Sequence, residues 1–532
     1  MPLVFSIPRP LPIRPGKDEF LKMVSSGTAG AAGPVYAEIP FISPHLLYPL
    51  FSGTGSILLE SAGGGIPRTA SSRTKPRNQI NRYSFLCFEP YASFKLQSGL
   101  VEVASHGRKS VATKKDPLSR LKEFLDAYPQ KPSPELPPFQ GGAAGLLSYG
   151  FVNYLEKLSA ARPPEPPEIP DAIFYLYDQL IAFDHELQKA WIICCPAARE
   201  TRLGYNPLNG NFQWEKSYHE ACGAINSIAD KLCAANPGNS AKTGVRAPAG
   251  ELKMEHATSR KDYVAMVTRA KQYIAAGDIF QANLSLRLQA GMGGAGAWEI
   301  YSVLRAVNPA PFACFMDFGG FQIASSSPER LVLLRDGFVC TRPIAGTRPR
   351  GTDMPQDDLM KSELLLSEKE RAEHIMLIDL ERNDIGRVSI YGSVEVDELM
   401  TVEYYSHVMH IVSNIVGKLA PGKTAFDCIK AAFPGGTITG VPKVRCMEII
   451  NELEPVARGV YTGSAGYIGF NGRMDLNILI RTFLLKDGIA YVQAGAGIVA
   501  DSAPEKEYEE SLKKAEALLV TLDMVWNKPD FI

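Results

Sequence analysis

The stretch KSELLLSEKERAEHIMLIDLERND, residues 361–384, decides the reading of this chain. Its apolar residues recur near every 3.6 positions among good helix formers, which predicts a helix. Glu370 and Glu373 stand at i, i+3 within it and so share one face, one turn apart. A second segment, PEKEYEESLKKAEALLVTLDMV (504–525), has the same character and carries Glu507 and Glu510 at the same spacing. Two solvated helices with charged outer faces would give this pattern. So would two helices offering paired acids to one cleft, where they would hold a hard cation. Mg2+ fits that role, because it takes oxygen ligands, few of them from protein, and lets substrate complete its shell.

The bulk properties narrow the class. A chain of 532 residues, 45% hydrophobic and 21% charged with net charge −1, is an ordinary globular protein of one large or two ordinary domains. It has no basic run or excess, so neither nucleic acid nor an anionic membrane is an expected partner. No apolar stretch approaches the length of a membrane span. Prolines interrupt the first twenty residues before a secretory h-region could form. The nine cysteines are dispersed without a CxxC pair, which suits free thiols in a reducing compartment. The expectation is a cytoplasmic enzyme.

Residues 62–79 and 233–254 read as linkers, rich in small and polar residues, and a proline cluster at 163–170 reads as a surface connection. The second linker divides the chain into an N-terminal region, 1–250, and a candidate catalytic region, 251–532. Runs such as FYLYDQLIAFDH, AWIICC, FACFMDFGG and RLVLLRDGFVCTRP are strand-like and do not alternate regularly with helices. The predicted fold is therefore α+β, with large, mostly antiparallel sheets flanked by helices.

Four further segments carry chemistry. AAFPGGTITGVPKVRCMEII (431–450) is a glycine-rich turn entering a helix at Pro442. It lacks the Walker spacing, yet a helix start beside the Thr437 hydroxyl suits an anion; a plain tight turn with Pro at N1 explains it as well. GSAGYIGFNGRMDLNILIRTF (463–483) reads as two strands, the second carrying Arg481, whose partner is either an internal acid such as Asp475 or a substrate carboxylate. AYVQAGAGIVADS (490–502) is a strand ending in glycines that let a ligand approach the backbone. His410 lies in an apolar run, where a satisfied core histidine is the commoner outcome.

These segments, with PIAGTRPRG (343–351), YYSHVMHIVS (404–413), LLES (58–61), RYSFLCFEP (82–90) and GGAAGLLSYGFVNYLEKL (141–158), resemble the chorismate-utilising enzymes. That family includes anthranilate synthase component I, aminodeoxychorismate synthase component I, isochorismate synthase and salicylate synthase. The resemblance covers nearly the whole chain. It implies Glu373 and Glu510 as Mg2+ ligands, supported by Glu370 and Glu507. It implies Lys514 at the ring carboxylate of chorismate, and Tyr461, Arg481 and the Gly497 backbone at the enolpyruvyl carboxylate. Gly346 and Thr347 would contact substrate, Thr437 would hydrogen-bond it, Glu329 would act as acid near the departing 4-hydroxyl, and His410 would orient the ring. A dianionic substrate needs a cationic group for each carboxylate, and loss of hydroxide needs a proton donor.

Water-using members of the family carry a lysine base where this chain has Gln281, which cannot deprotonate water. The resemblance therefore points to amination with ammonia. No glutaminase signature is present, so ammonia would come from a separate glutamine amidotransferase subunit. Ala345 in PIAGT is typical of anthranilate synthases; many aminodeoxychorismate synthases have a lysine there, used as a nucleophile. Asn283, NPAPFAC (308–314), SSSPERLV (325–332), FPGGTITG (433–440) and MDLNILIRT (474–482) look like aminodeoxychorismate synthase, which is the preferred reading. LLES belongs to the tryptophan feedback site of anthranilate synthases, but NPAPFAC replaces its usual NPSPYM partner, so tryptophan inhibition is not expected. A catalytically inert chorismate- or tryptophan-binding relative is the contrasting alternative, and the intact acid quartet argues against it.

Overall fold

The computed structural model describes residues 7–26, 32–61, 80–158, 167–200, 213–234, 252–351, 353–404 and 408–527. The stretch read as the first linker, 62–79, most of the second and the start of the proline cluster lie outside the described residues.

Two antiparallel sheets organise the chain, of 13 and 12 strands among the described residues. The first sheet begins with N-terminal strands and passes from Ile57–Glu60 to Phe312–Asp317, then to Gln322–Ser327, Thr482–Lys486, Ile489–Ile498 and Gln281–Gly291. The second begins at Ile344–Pro349 and Val408–Lys418 and passes through Arg330–Arg335, Met474–Asn477 and Ser464–Gly469 to Gly142–Leu147 and other N-terminal strands. Each sheet thus joins strands from both halves of the chain.

The inner faces share one apolar core. Phe85, Ala182, Trp191, Met316 and Leu484 of the first sheet meet Ala144, Leu146, Ile173 and Tyr467 of the second. The Phe85 and Tyr467 rings meet edge-on with centroids 5.4 Å apart. Each large side chain buried in this way contributes about 1.5–3 kcal/mol of transfer free energy, which makes face-to-face stacking the favourable way to hide these surfaces. Helices Arg260–Ala275, Ala297–Val307 and Pro504–Asn527 pack on the first sheet, and Glu368–Gly386 and Ala425–Ala432 on the second.

Two neighbouring crossings between the sheets position the chemistry. Gln322–Ser327 leaves the first sheet and continues through Pro328 and Glu329 into Arg330–Arg335 of the second. Met474–Asn477 leaves the second and continues through residues 478–481 into Thr482–Lys486 of the first. The crossings are laced together, Ile478 N donating to Glu329 O and Ser326 N to Arg481 O, each at 3.0 Å.

Two expectations are corrected here. MDLNILIRTF is not one strand: it splits between the sheets, and Arg481 precedes the second piece with φ +52°. Period-two apolarity persists through the bend because both sheets bury that side of the chain. The segment 361–384 is likewise two helices, Met354–Leu366 and Glu368–Gly386, broken at Ser367. Ser367 has ψ 106° and its hydroxyl accepts from Glu370 N at 3.4 Å, so it caps the second helix. The break puts Glu370 in the first turn of a helix, where backbone N–H groups favour a carboxylate, with Glu373 one turn further on.

Candidate active site

Glu329 lies at the first crossing and is only 4% exposed. Burial raises its carboxyl to about 7, against the opposing pull of the Thr437 hydroxyl, the Ile344 amide, Arg481 and Lys514. The Ile344 amide lies 3.5 Å from Glu329 Oε1. Thr437 faces the carboxyl without completing a well-aligned hydrogen bond. A carboxyl poised near neutrality, with an arginine and a lysine in electrostatic reach, has the chemistry that a proton donor needs.

Gly346, His410 and Glu370 form the next wall. The register of Ile344–Pro349 against Val408–Lys418 sets Thr347 opposite His410; the Thr347 side chain lies outside what the structure describes. His410 Nδ1 lies 3.1 Å from the Gly346 carbonyl, which can only accept, so the ring proton sits on Nδ1. Burial, helped by Arg481, lowers His410 to about 4, leaving a neutral imidazole held in one orientation. Gly346 has φ +61°, and a Cβ there would meet Leu364 Cδ1 at 2.8 Å and Glu370 Oε2 at 3.0 Å. Glycine is required at this point for both reasons. Glu370 also lies 3.5 Å from Arg348.

Glu373 reaches the first sheet. Its Oε1 accepts from Gln281 Nε2 at 2.6 Å. A Cβ on Gly497 would lie 2.4 Å from that nitrogen and 3.4 Å from Glu373 Oε1, so the glycine expected to admit a ligand here admits the Gln281–Glu373 bridge. On the C-terminal helix, Glu510 pairs with Lys514 at 2.9 Å, both about half exposed, while Glu507 is buried. Asp475, the internal acid considered for Arg481, is held instead by Arg330 through two 2.9 Å hydrogen bonds.

Three buried charged residues around the site were not singled out from the sequence. Arg458, fully buried, pairs with Glu454 at 2.8 Å and donates to the carbonyls of Asn283 and Ile438 at 2.7 and 2.8 Å. Its guanidinium lies 5.6 Å from the Tyr461 ring centroid, and Glu454 accepts from the Ser285 amide and hydroxyl. This pair ties the strand carrying Gln281 to the Thr437 turn and to Tyr461. The i, i+4 charges in ELEPVARGVY were the available signal. The third is Glu381, 5% exposed, which accepts from the Thr341 hydroxyl and is pushed up to about 8 by burial and by the Glu329 and Asp384 charges. Glu381 stands eleven residues, three turns, beyond Glu370, so the face bearing the acid pair continues to it.

The donor set bears on a metal. Among the described residues no three His, Cys, Asp or Glu side chains form a preformed cage. The carboxylates of Glu373 and Glu510, on separate helices, offer oxygen only. Such a sparse oxygen set fits Mg2+, which retains water and borrows substrate oxygens, better than a metal needing a full protein shell.

Residues 68–520 match the family model of the chorismate binding enzymes. The chain belongs to that family. Aminodeoxychorismate synthase component 1 of Bacillus subtilis is 40% identical over 474 residues, covering 88% of this chain and 92% of that protein. Anthranilate synthase component 1 of Acetivibrio thermocellus is 39% identical, covering 92% and 94%. The crystal structure of anthranilate synthase component I from Streptococcus pneumoniae TIGR4 superposes with a TM-score of 0.71 at 34% identity, covering 90% of this chain and 97% of that one. This is a chorismate-utilising enzyme of the anthranilate and aminodeoxychorismate synthase type.

The LLES strand pairs with the NPAPFAC strand, Glu60 opposite Ala313. Glu60 is buried and accepts from Tyr301 and, through two bonds, from Arg305. Its part in this chain is to bind a helix to the sheet. Among the described residues no helix is long and apolar enough to cross a membrane.

Proposed function

We propose that the chain aminates chorismate to 4-amino-4-deoxychorismate, with ammonia supplied by a separate glutamine amidotransferase subunit. Gln281 carries the choice of nucleophile. Its amide nitrogen is committed to Glu373, and an amide cannot accept a proton from water at neutral pH, so a nucleophile needing no activation is favoured. The 4-amino product is favoured by Asn477, whose side chain donates to the Phe312 carbonyl at 3.1 Å. That contact joins MDLNILIRT to NPAPFAC, two segments that look like aminodeoxychorismate synthase, so the resemblance is one connected patch.

The residues divide the work. Arg481, Tyr461 and the Gly497 backbone hold the enolpyruvyl carboxylate, and Lys514 meets the ring carboxylate. Glu373 and Glu510 hold Mg2+, backed by Glu370 and Glu507; when bound, the ion supplies positive charge at the ring carboxylate. Neutral His410, Thr437, Gly346 and Thr347 fix the ring. Glu329 gives its proton to the 4-hydroxyl as the C–O bond breaks and water leaves. Ammonia forms the new C–N bond, and its surplus proton restores Glu329.

A second reading, anthranilate synthase, is favoured by Ala345, which places no nucleophilic side chain opposite Ile411 in the Ile344–Pro349 strand. Mass spectrometry of the products formed with Mg2+ and ammonium separates the two. The expected result is 4-amino-4-deoxychorismate with little pyruvate, and 4-aminobenzoate only after a separate lyase is added. Anthranilate with stoichiometric pyruvate from this chain alone would establish the second reading instead.

A further inference from the structure

Phe280 is 69% exposed, although the residues on either side of it, Ile279 and Gln281, are buried. It does not stand alone. Its amide donates to the Val441 carbonyl at 2.8 Å, and Gln281 pairs in register with Val441. Just beyond, Pro442 is exposed and Val444 is 41% exposed at the start of the helix Lys443–Leu453. Arg445 reaches back to Asp278 at 2.9 Å, so the 278–280 bend and the 441–445 segment are clamped at both ends. Glu448 and Tyr273 continue a polar border, through the Arg445–Glu448 pair and the Arg445 guanidinium 5.3 Å from the Tyr273 ring centroid. An apolar centre with a polar border is the anatomy of a protein interface.

The patch is wired to the chemistry from both sides. From Phe280 the chain passes directly to Gln281, whose amide grips Glu373. From Val441 it runs back four residues to Thr437, which faces Glu329. Gly440 permits this close approach: its φ is +134°, and a Cβ there would lie 2.1 Å from the Gln281 carbonyl oxygen. Ammonia used as a nucleophile is lost to protonation and dilution unless handed over close to its point of attack. A partner seated here stands within a few residues of both the metal-side acid and the proton donor. The Bacillus subtilis and Acetivibrio thermocellus relatives are each named as component 1, which implies a second component.

We infer that the Phe280–Pro442–Val444 patch is the docking surface for the ammonia-supplying glutaminase subunit. This rests on the amination reading and names where its partner binds. Docking would also bear on the Gln281 strand and the Thr437 turn, so the partner's arrival is felt at the nucleophile wall.

The test uses the full chain and a purified glutamine amidotransferase subunit from the same organism. Chorismate consumption is followed with ammonium alone and with glutamine plus that subunit, and subunit association by sedimentation velocity. Phe280→Asp with Val444→Glu should lower the glutamine-driven rate at least tenfold and abolish association, while the ammonium-driven rate stays within about twofold. Val111→Asp, an exposed apolar position on the distant Arg108–Thr113 strand, should change neither. Unimpaired association and glutamine-driven turnover in the double variant would overturn the proposal. So would a change confined to self-association of the chain, which would assign the patch to a second copy. If the double variant loses the ammonium-driven rate as well, Phe280→Ala alone decides by the same two readouts. An unaltered chain that consumes no chorismate with ammonium would defeat the amination reading, and association would still decide the docking surface.

Discussion

Gln281 of the first sheet and Glu373 of the Glu368–Gly386 helix are bridged, the amide nitrogen of one donating to Oε1 of the other at 2.6 Å over a glycine, Gly497, that leaves them room. A carboxylate can only accept, so the Gln281 amide has one orientation, nitrogen toward Glu373 and oxygen away. The bridge fixes the direction in which the Glu373 carboxylate points.

If Glu373 and Glu510 hold the metal, replacing either with Gln removes one of few anionic ligands. Turnover should fall at least a hundredfold and Mg2+ binding measured calorimetrically should disappear, with an unchanged circular dichroism spectrum. Near-normal activity of either variant at low Mg2+ would show that these acids are not ligands.

Gly497→Ala tests the bridge itself. Gly497 lies in the Ile489–Ile498 strand without a left-handed φ, so alanine suits the backbone and only its Cβ intrudes, 2.4 Å from Gln281 Nε2. The bridge should open, lowering kcat/KM at least tenfold, about 1.4 kcal/mol, with little change in melting temperature. A large loss of stability with normal kcat/KM would instead make Gly497 a packing residue.

The sequence carried much of this arrangement, for reasons that individual residues make plain. The antiparallel α+β class was legible because strand-like runs did not alternate with helices. Glu370 and Glu373 were legible because i, i+3 spacing survives any packing. The break at Ser367 was not, since KSELLLSEKERAEH keeps its helical period across the cap; the serine at the N-cap was the one local sign. The crossing at 478–481 was hidden because ILIR is apolar whichever sheet receives it. Glu381 and Arg458 were obscured by apolar neighbours, and their importance depends on elements brought together only by folding, the Thr341 strand and the Gln281 strand.

Arg481→Lys keeps the charge and removes the planar, two-pronged guanidinium. The backbone at φ +52° is no harder for lysine than for arginine, so the fold should persist. KM for chorismate should rise at least tenfold with a smaller change in kcat, because a bidentate hold on the carboxylate is replaced by a point charge. An unchanged KM would move Arg481 from substrate capture to a structural ion pair.

Glu329 and Glu381 give the enzyme a pH signature that separates catalysis from stability. If Glu329 is the proton donor it acts only when protonated, so with its carboxyl at about 7 the rate should fall as pH rises through that value. Glu329→Gln should lose about 10²–10⁴-fold in kcat and with it that alkaline limb. Glu381, at about 8, touches Thr341 and lies within reach of the Glu329, Asp384 and Lys443 charges. Its folded-state value lies above the ordinary 4.5, so the folded protein binds the proton more tightly than the unfolded chain. The stability this provides is complete below about 4.5 and is lost as pH rises through about 8. Glu381→Gln cannot ionise and escapes that loss. Its melting temperature should therefore decline less than the unaltered protein's between pH 6 and pH 9, while at pH 6 most of kcat survives. Parallel melting curves for the two proteins across that range would mean that Glu381 is already ionised in the folded state, held by Lys443 rather than kept neutral by burial.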